Sequence, residues 1–236
     1  MFSQCHTFFA LLILTAVGCK ENIESVPATP PPDKPPEMAA NASLRPYYQM
    51  GTMESAAGTA FIVQDKAGKL YMLTAAHIMD NDAEWQQVKG VSLRVMGGAV
   101  TARVQGRPVY IGKAFSEGNA STDLVIWPLA EGAKVTPLKL ASGDPKKNEW
   151  LWAIGQEPGS TGPQKMYRCK VTGPDTGGFL LEQHDQFQMR GFSGGPVVNA
   201  QGEVVGSLLG GQGQKVIISG VSGIRARLAE AKIELP

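Results

Sequence analysis

From residue 58 onward, short apolar runs alternate with glycine-rich and polar breaks, the pattern of strands joined by tight turns. GTAFIVQ (58–64) and KLYMLT (69–74) flank DKAG, a hairpin signal. VSLRVM (91–96), AVTARVQ (99–105) and PVYIG (108–112) follow at short spacing. DLVIWPL (123–129) is apolar almost throughout and opens on Asp123. The polar, turn-rich stretch 131–148 reads as a crossover to a second set of runs. These are WLWAIG (150–155), QKMYRCKV (164–171), GFLLEQ (178–183), GPVVN (195–199), EVVGSLLGG (203–211) and KVIISG (215–220). In VSGIRARLAEAKI (221–233), Ile224, Leu228 and Ala231 fall at helical spacing behind Ser222, a candidate N-cap. A closing helix over about 223–232 is the expectation. About a dozen strands in two clusters, with little helix between them, predict an all-β fold of two antiparallel barrels or a sandwich.

The region before residue 58 is different in kind. FFALLILTAV (8–17) is apolar but too short to span a bilayer, which takes roughly 20 residues. It leads into Val-Gly-Cys at 17–19 and reads as a secretory signal, although no Lys or Arg precedes it. An apolar run ending on a Gly-Cys pair resembles a bacterial lipoprotein signal. Cys19 would then be the lipidated first residue and would anchor the chain to a membrane. Ala16 stands where that family usually has Leu. A plain signal peptide cut nearby is the other reading. The stretch VPATPPPDKPPE (26–37) is proline-rich, extended and unable to form a core, as suits a tether. The expected organisation is a signal over 1–19, a tether over 20–46 and a folded unit over 47–236, divided near residue 140.

Composition narrows the function classes. Apolar residues make up 43% of the 236, charged residues 18%, and the net charge is +1, so no basic face argues for nucleic acid. With 28 glycines and 16 prolines the chain favours turns over a helical bundle. Three cysteines do not make a disulfide scaffold. Cys5 lies in the signal, and Cys169 in KMYRCKV reads as a small buried apolar side chain, a reactive thiol being the alternative. No metal or cofactor is implied.

The stretch GFSGGP (191–196) raises the chemical question. A serine hydroxyl becomes a useful nucleophile when a base takes its proton, and the usual base is histidine. The chain has His6, His77 and His184. His6 belongs to the signal. GFSGG also fits the G-x-S-x-G turn of α/β-hydrolases, but that fold needs a histidine after the serine, and none follows Ser193. An Asp-His-Ser order would have to use Asp33 in the tether or Asp65 in a hairpin turn. The order His77, Asp123, Ser193 remains, with Asp80 as a rival orienting group and His184 as a rival base.

In that order, LTAAHIM around His77, STDLVIW around Asp123 and GFSGGP around Ser193 resemble the motifs of the chymotrypsin-like serine proteases. The bacterial Do-type members are the subgroup most alike. The resemblance implies two six-stranded antiparallel barrels with a C-terminal helix, over about 47–140, 141–222 and 223–232. It implies a His77–Asp123–Ser193 triad and an oxyanion hole from the N–H groups of Gly191 and Ser193. Phe187 would lie at the floor of the specificity pocket, where the absence of Asp argues against a taste for Lys or Arg and leaves a small or apolar residue as the expectation. Leu209, Gly210 and Gly211 would line the bound peptide. Leu209 stands where the family often has a serine that supports the triad Asp, which puts that hydrogen bond in doubt. Phe192 replaces the Asp that animal relatives pair with a newly cut amino terminus. The loop is therefore expected to be preformed or shaped by apolar packing of Phe192. The function so implied is a serine endopeptidase of the bacterial cell envelope acting on proteins or peptides. The alternative is a catalytically silent, tethered scaffold that binds them.

Overall fold

A computed structural model describes residues 25, 26, 36–79, 81–94, 99–115, 119–160 and 163–236. The signal stretch, Cys19 and Asp80 lie outside these residues. The first half of the chain carries α1 (Glu37–Asn41), β1 (Ser43–Met50), β2 (Met53–Ala56), β3 (Ala60–Gln64), β4 (Leu70–Thr74), α2 (Asp82–Gln87), β5 (Val88–Arg94), β6 (Val100–Arg103), β7 (Tyr110–Ile111) and β8 (Val125–Pro128). The second half carries β9 (Trp150–Gly155), β10 (Lys165–Asp175), β11 (Gly178–Gln183), β12 (Pro196–Val198), β13 (Val204–Gln212), β14 (Lys215–Gly220) and α3 (Val221–Glu230).

The second set closes into the expected six-stranded barrel, in the order β10-β11-β14-β13-β12-β9. The first set does not close. It is an eight-stranded sheet in the order β6-β5-β1-β3-β4-β8-β7, with β2 hydrogen-bonded to β1. β7 is only two residues long, and a single bridge between Val104 and Leu129 spans the gap where a ladder would complete a barrel. Regular structure also begins upstream of Tyr47 among the described residues. β1 starts at Ser43, pairs first with β3 through Ser43 and Leu44, then diverges to pair with β5 from Arg45 onward.

The continuous apolar runs arise because the central strands bury both faces. Successive side chains of a strand point to opposite sides. Along β3, Ala60 and Ile62 enter the core of the first sheet, whereas Phe61 and Val63 enter a second core between the two halves. β8 and its preceding residue repeat this, with Val125 and Trp127 on one side and Leu124 and Ile126 on the other. In β9, Leu151 and Ala153 fill the barrel interior while Trp152 and Ile154 join the shared core. Burying such side chains fully contributes about 1.5–3 kcal/mol each, so the shared core binds the halves firmly.

Helix α3 lays Ile224 and Leu228 on that shared core. Its N-cap is Gly220, which offers no side chain, and Ser222 lies inside the first turn rather than capping it. The cap comes from the crossover instead. Asp144 accepts the Ser222 N–H at 2.8 Å and its hydroxyl at 2.6 Å. A carboxylate there satisfies an orphan donor and complements the positive helix end.

Candidate active site

Ser193 sits in the turn that enters β12. Gly191 and Gly194 on either side have φ of +90° and +80°, a region that side-chain-bearing residues resist. At Gly194 a Cβ would fall 2.3 Å from Thr74 Oγ1 and 2.5 Å from the Ala75 nitrogen, so the turn lies against the end of β4. Both halves of the molecule fix it. Gly194 N–H donates to the Leu208 carbonyl at 2.7 Å and Leu208 N–H to the Gly195 carbonyl at 2.8 Å. From the first sheet, Thr59 N–H donates to the Ser193 carbonyl at 2.8 Å.

His77 lies in a 3₁₀ turn, Ala76–Ile78, directly after β4. The indole N–H of Trp85 on α2 donates to the Ala76 carbonyl at 2.8 Å and fixes this turn from behind. Asp123 follows a second 3₁₀ turn, Ala120–Thr122, just ahead of β8. β4 and β8 are adjacent antiparallel strands with Thr74 opposite Val125, which brings the two turns together. The imidazole Nδ1 then lies 2.7 Å from Asp123 Oδ2, and Nε2 lies 2.8 Å from Ser193 Oγ.

A carboxylate that is 1% exposed needs hydrogen-bond donors on both oxygens, and Asp123 has them. Oδ1 accepts the main-chain N–H groups of Ala76 and His77 at 2.6 and 3.1 Å. Oδ2 accepts His77 Nδ1–H and, at 3.0 Å, the N–H of Phe115. Because Asp123 accepts only, the Nδ1 proton is fixed there and Nε2 is left to accept from Ser193. The doubtful support from Leu209 is thereby resolved. Leu209 is buried in an apolar cluster with Ala75 and Ala120, and the Phe115 main chain supplies the donor that a strand serine would. The Phe115 ring also stands edge-on to the imidazole at 5.6 Å.

The other candidate residues fall as follows. Gly191 and Ser193 N–H groups donate to no protein acceptor among the described residues. Phe192 is fully buried, and its ring packs 4.8 Å from Phe187, which is itself stacked on Tyr167 at 4.7 Å. Phe187 is thus tied to the barrel core under the serine turn. Gly210 and Gly211 pair with Ile217 and Val216 of β14. β12 pairs with β13 only as far as Ser207, so no strand among the described residues covers the outer flank of β13 past that point. Met189, which sequence reasoning passed over, packs its sulfur against Gly211. His184 stacks edge-on to Trp150 at 5.2 Å, away from the Ser193 hydroxyl that His77 takes. Cys169 is buried, and burial pushes its thiol up to about 12, which leaves it protonated and unreactive at neutral pH.

Two further side chains reach the turn. Arg45 of β1 donates through Nη1 to the carbonyls of Gly58, Gln156 and Gly191 at 2.8, 3.0 and 3.3 Å. Thr59 donates its hydroxyl to the same Gly191 carbonyl at 2.7 Å. Burial lowers the pKa of Arg45 from its ordinary value, yet a guanidinium stays charged in proteins.

The fold has counterparts among solved structures. It is similar to the M. tuberculosis Rv3671c protease in its active form, with a TM-score of 0.57 and 16% identity over 92% of this chain and 95% of that one. The inactive form of the same protease gives a TM-score of 0.56 over 86% and 99%. A serine endoprotease from Yersinia pestis gives 0.58 at 19% identity, over 82% of this chain and 65% of that one. Residues 58–206 match the family model of the trypsin-like peptidase domain. That match spans well over half of the sequence and runs from the strand leading to His77 through the Ser193 turn, so the chain belongs to the trypsin-like peptidase family.

Proposed function

We propose that the protein is a serine endopeptidase that cleaves peptide bonds through Ser193, His77 and Asp123. One observation carries this reading: an unbroken hydrogen-bonded series from a buried carboxylate through one imidazole to one hydroxyl. His77 Nε2 takes the Ser193 proton as Oγ bonds to the substrate carbonyl carbon. The carbonyl oxygen becomes negative, and the N–H groups of Gly191 and Ser193 receive it. One such donor is worth roughly 3 kcal/mol in the transition state. The imidazolium, stabilised by Asp123, then gives its proton to the departing amine nitrogen as the C–N bond breaks. Water, deprotonated by His77, hydrolyses the acyl-enzyme and returns the proton to Ser193. The open flank of β13 at Gly210 and Gly211 suits an extended substrate adding its main chain as a further strand.

A fluorophosphonate probe tests the assignment, because it reacts with an activated serine. The wild-type protein is expected to take one label on Ser193, identified by mass spectrometry. His184→Ala should label at the wild-type rate. A folded protein that takes no label would overturn the reading in favour of a tethered scaffold that binds peptides without cleaving them.

The same reading extends to location. The apolar run before Cys19 and the prolines after it support an exported enzyme held to a bacterial membrane by lipid on Cys19. Mass spectrometry of the mature amino terminus checks this. A mature chain beginning at a lipid-modified Cys19 is the expected species, and an unmodified terminus elsewhere rules the anchor out.

A further inference from the structure

A glycine with φ of +90° does not hold its own orientation, because glycine adopts positive and negative φ about equally readily. Something else must fix Gly191. Phe192 supplies an apolar anchor beneath the turn but no bond to its carbonyl. Two donors supply that bond, and both come from the first sheet: the Thr59 hydroxyl and the Arg45 guanidinium. Arg45 is half-buried, forms no ion pair among the described residues, and directs its hydrogen bonds to the main-chain carbonyls of Gly58, Gln156 and Gly191. Those carbonyls belong to three separate segments: Gly58 ahead of β3, Gln156 after β9, and Gly191 beside the nucleophile.

We infer that Arg45 is a built-in latch of the oxyanion turn, a positioning residue that keeps Gly191 in the conformation the reaction needs. The physical argument runs through the carbonyl. Charged donors make hydrogen bonds about twice as strong as neutral ones, and a partly desolvated guanidinium binds its acceptors more strongly still. Holding the Gly191 carbonyl toward Arg45 and Thr59 fixes the Gly191–Phe192 peptide plane on one side of the glycine; on the other side the Gly191 N–H has no protein acceptor among the described residues. Bridging to Gly58 and Gln156 at the same time makes the turn depend on the seating of β1 against both halves. The latch is carried by the first strand after the proline-rich stretch, so it is present as soon as the chain folds and needs no newly cut amino terminus. This inference rests on the peptidase reading for its catalytic consequence but not for its structural one.

The test compares Arg45→Ala, Arg45→Lys and, as a control on the neighbouring strand β5 directly opposite Arg45, Arg94→Ala. In Arg45→Ala the rate of fluorophosphonate labelling is expected to fall by about 10²-fold, the scale of losing one oxyanion donor. With fluorescent casein as substrate, kcat should fall while KM changes little. Arg45→Lys should recover part of the rate, and added guanidinium ion should restore labelling of Arg45→Ala in a saturable way. Arg94→Ala should label normally. Hydrogen exchange gives a readout independent of activity: amides of Phe192–Gly195 should exchange faster in Arg45→Ala, with the β9 and β10 amides unchanged. Wild-type rates together with unchanged exchange in the turn would overturn the latch, as would a rate loss that guanidinium leaves untouched. If the wild-type protein takes no label, the peptidase reading fails, and the exchange comparison alone decides whether Arg45 holds the turn.

Discussion

Replacing His77 with alanine is expected to lower kcat on fluorescent casein by about 10⁶-fold, and adding Ser193→Ala to that variant should cause little further loss. The reason is that the two side chains act as one unit. In the proposed mechanism the Ser193 hydroxyl gives its proton to the imidazole nitrogen 2.8 Å away. Without that base, the hydroxyl keeps its ordinary reactivity, and a serine without a base is worth no more than no serine. Residual acceleration, from binding and the Gly191 and Ser193 N–H groups, should remain at about 10³–10⁴ over water in the double variant. Folding should survive the change. The His77 main chain keeps its place because the Ala76 carbonyl is fixed by Trp85 and the Ala76 and His77 N–H groups by Asp123. Circular dichroism and labelling by the fluorophosphonate are the paired measurements. A folded His77→Ala protein that labels nearly as fast as wild type would mean that another group activates Ser193, and the triad assignment would fail.

Much of this arrangement is readable from the chain. The barrel strands announce themselves as apolar runs because β3, β8 and β9 feed two cores with alternate residues. The serine turn announces itself because three glycines crowd one hydroxyl where other main chain passes within contact distance. The order of His77, Asp123 and Ser193 left one fold of the three considered. What escaped sequence reasoning has a common physical character. β1 sets Leu44, Pro46 and Tyr48 inside, but its proline and its place beside the proline-rich stretch made its first half, Ser43–Pro46, read as tether. The Phe115 contact with Asp123 is made by a main-chain N–H, which every residue but proline carries, so no side chain signals it. Arg45 and Gly191 are 146 positions apart, and only the docking of the two halves makes them neighbours. Ser222 looked like a cap because the sequence does not show that Asp144 would arrive from the crossover to take both of its donors.

The exchange of Asp123 for asparagine should lower kcat by about 10⁴-fold while the fold persists, because it inverts the tautomer of His77. Four donors converge on the carboxylate, two on each oxygen. Asparagine has one oxygen and one NH₂ group, so it can serve only one pair. If its oxygen faces the Ala76 and His77 N–H groups, the NH₂ group meets His77 Nδ1. That nitrogen must then accept, the ring proton moves to Nε2, and Nε2–H meets the Ser193 hydroxyl as a donor. A base that already holds its proton cannot take another from Ser193. If instead the amide turns over, the NH₂ group opposes two main-chain donors in a buried site, against one, Phe115 N–H, in the first orientation, and each unmet buried donor costs about 1–3 kcal/mol. The first orientation therefore prevails, and with it the idle tautomer. Side-chain truncation would behave differently. Asp123→Ala leaves Phe115 and the 3₁₀ turn of His77 without an acceptor, so a fall in thermal stability should accompany its loss of rate. Comparing the two variants by pre-steady-state acylation and by melting temperature separates orientation from support. Equal rates for Asp123→Asn and wild type would show that the imidazole is positioned without the carboxylate.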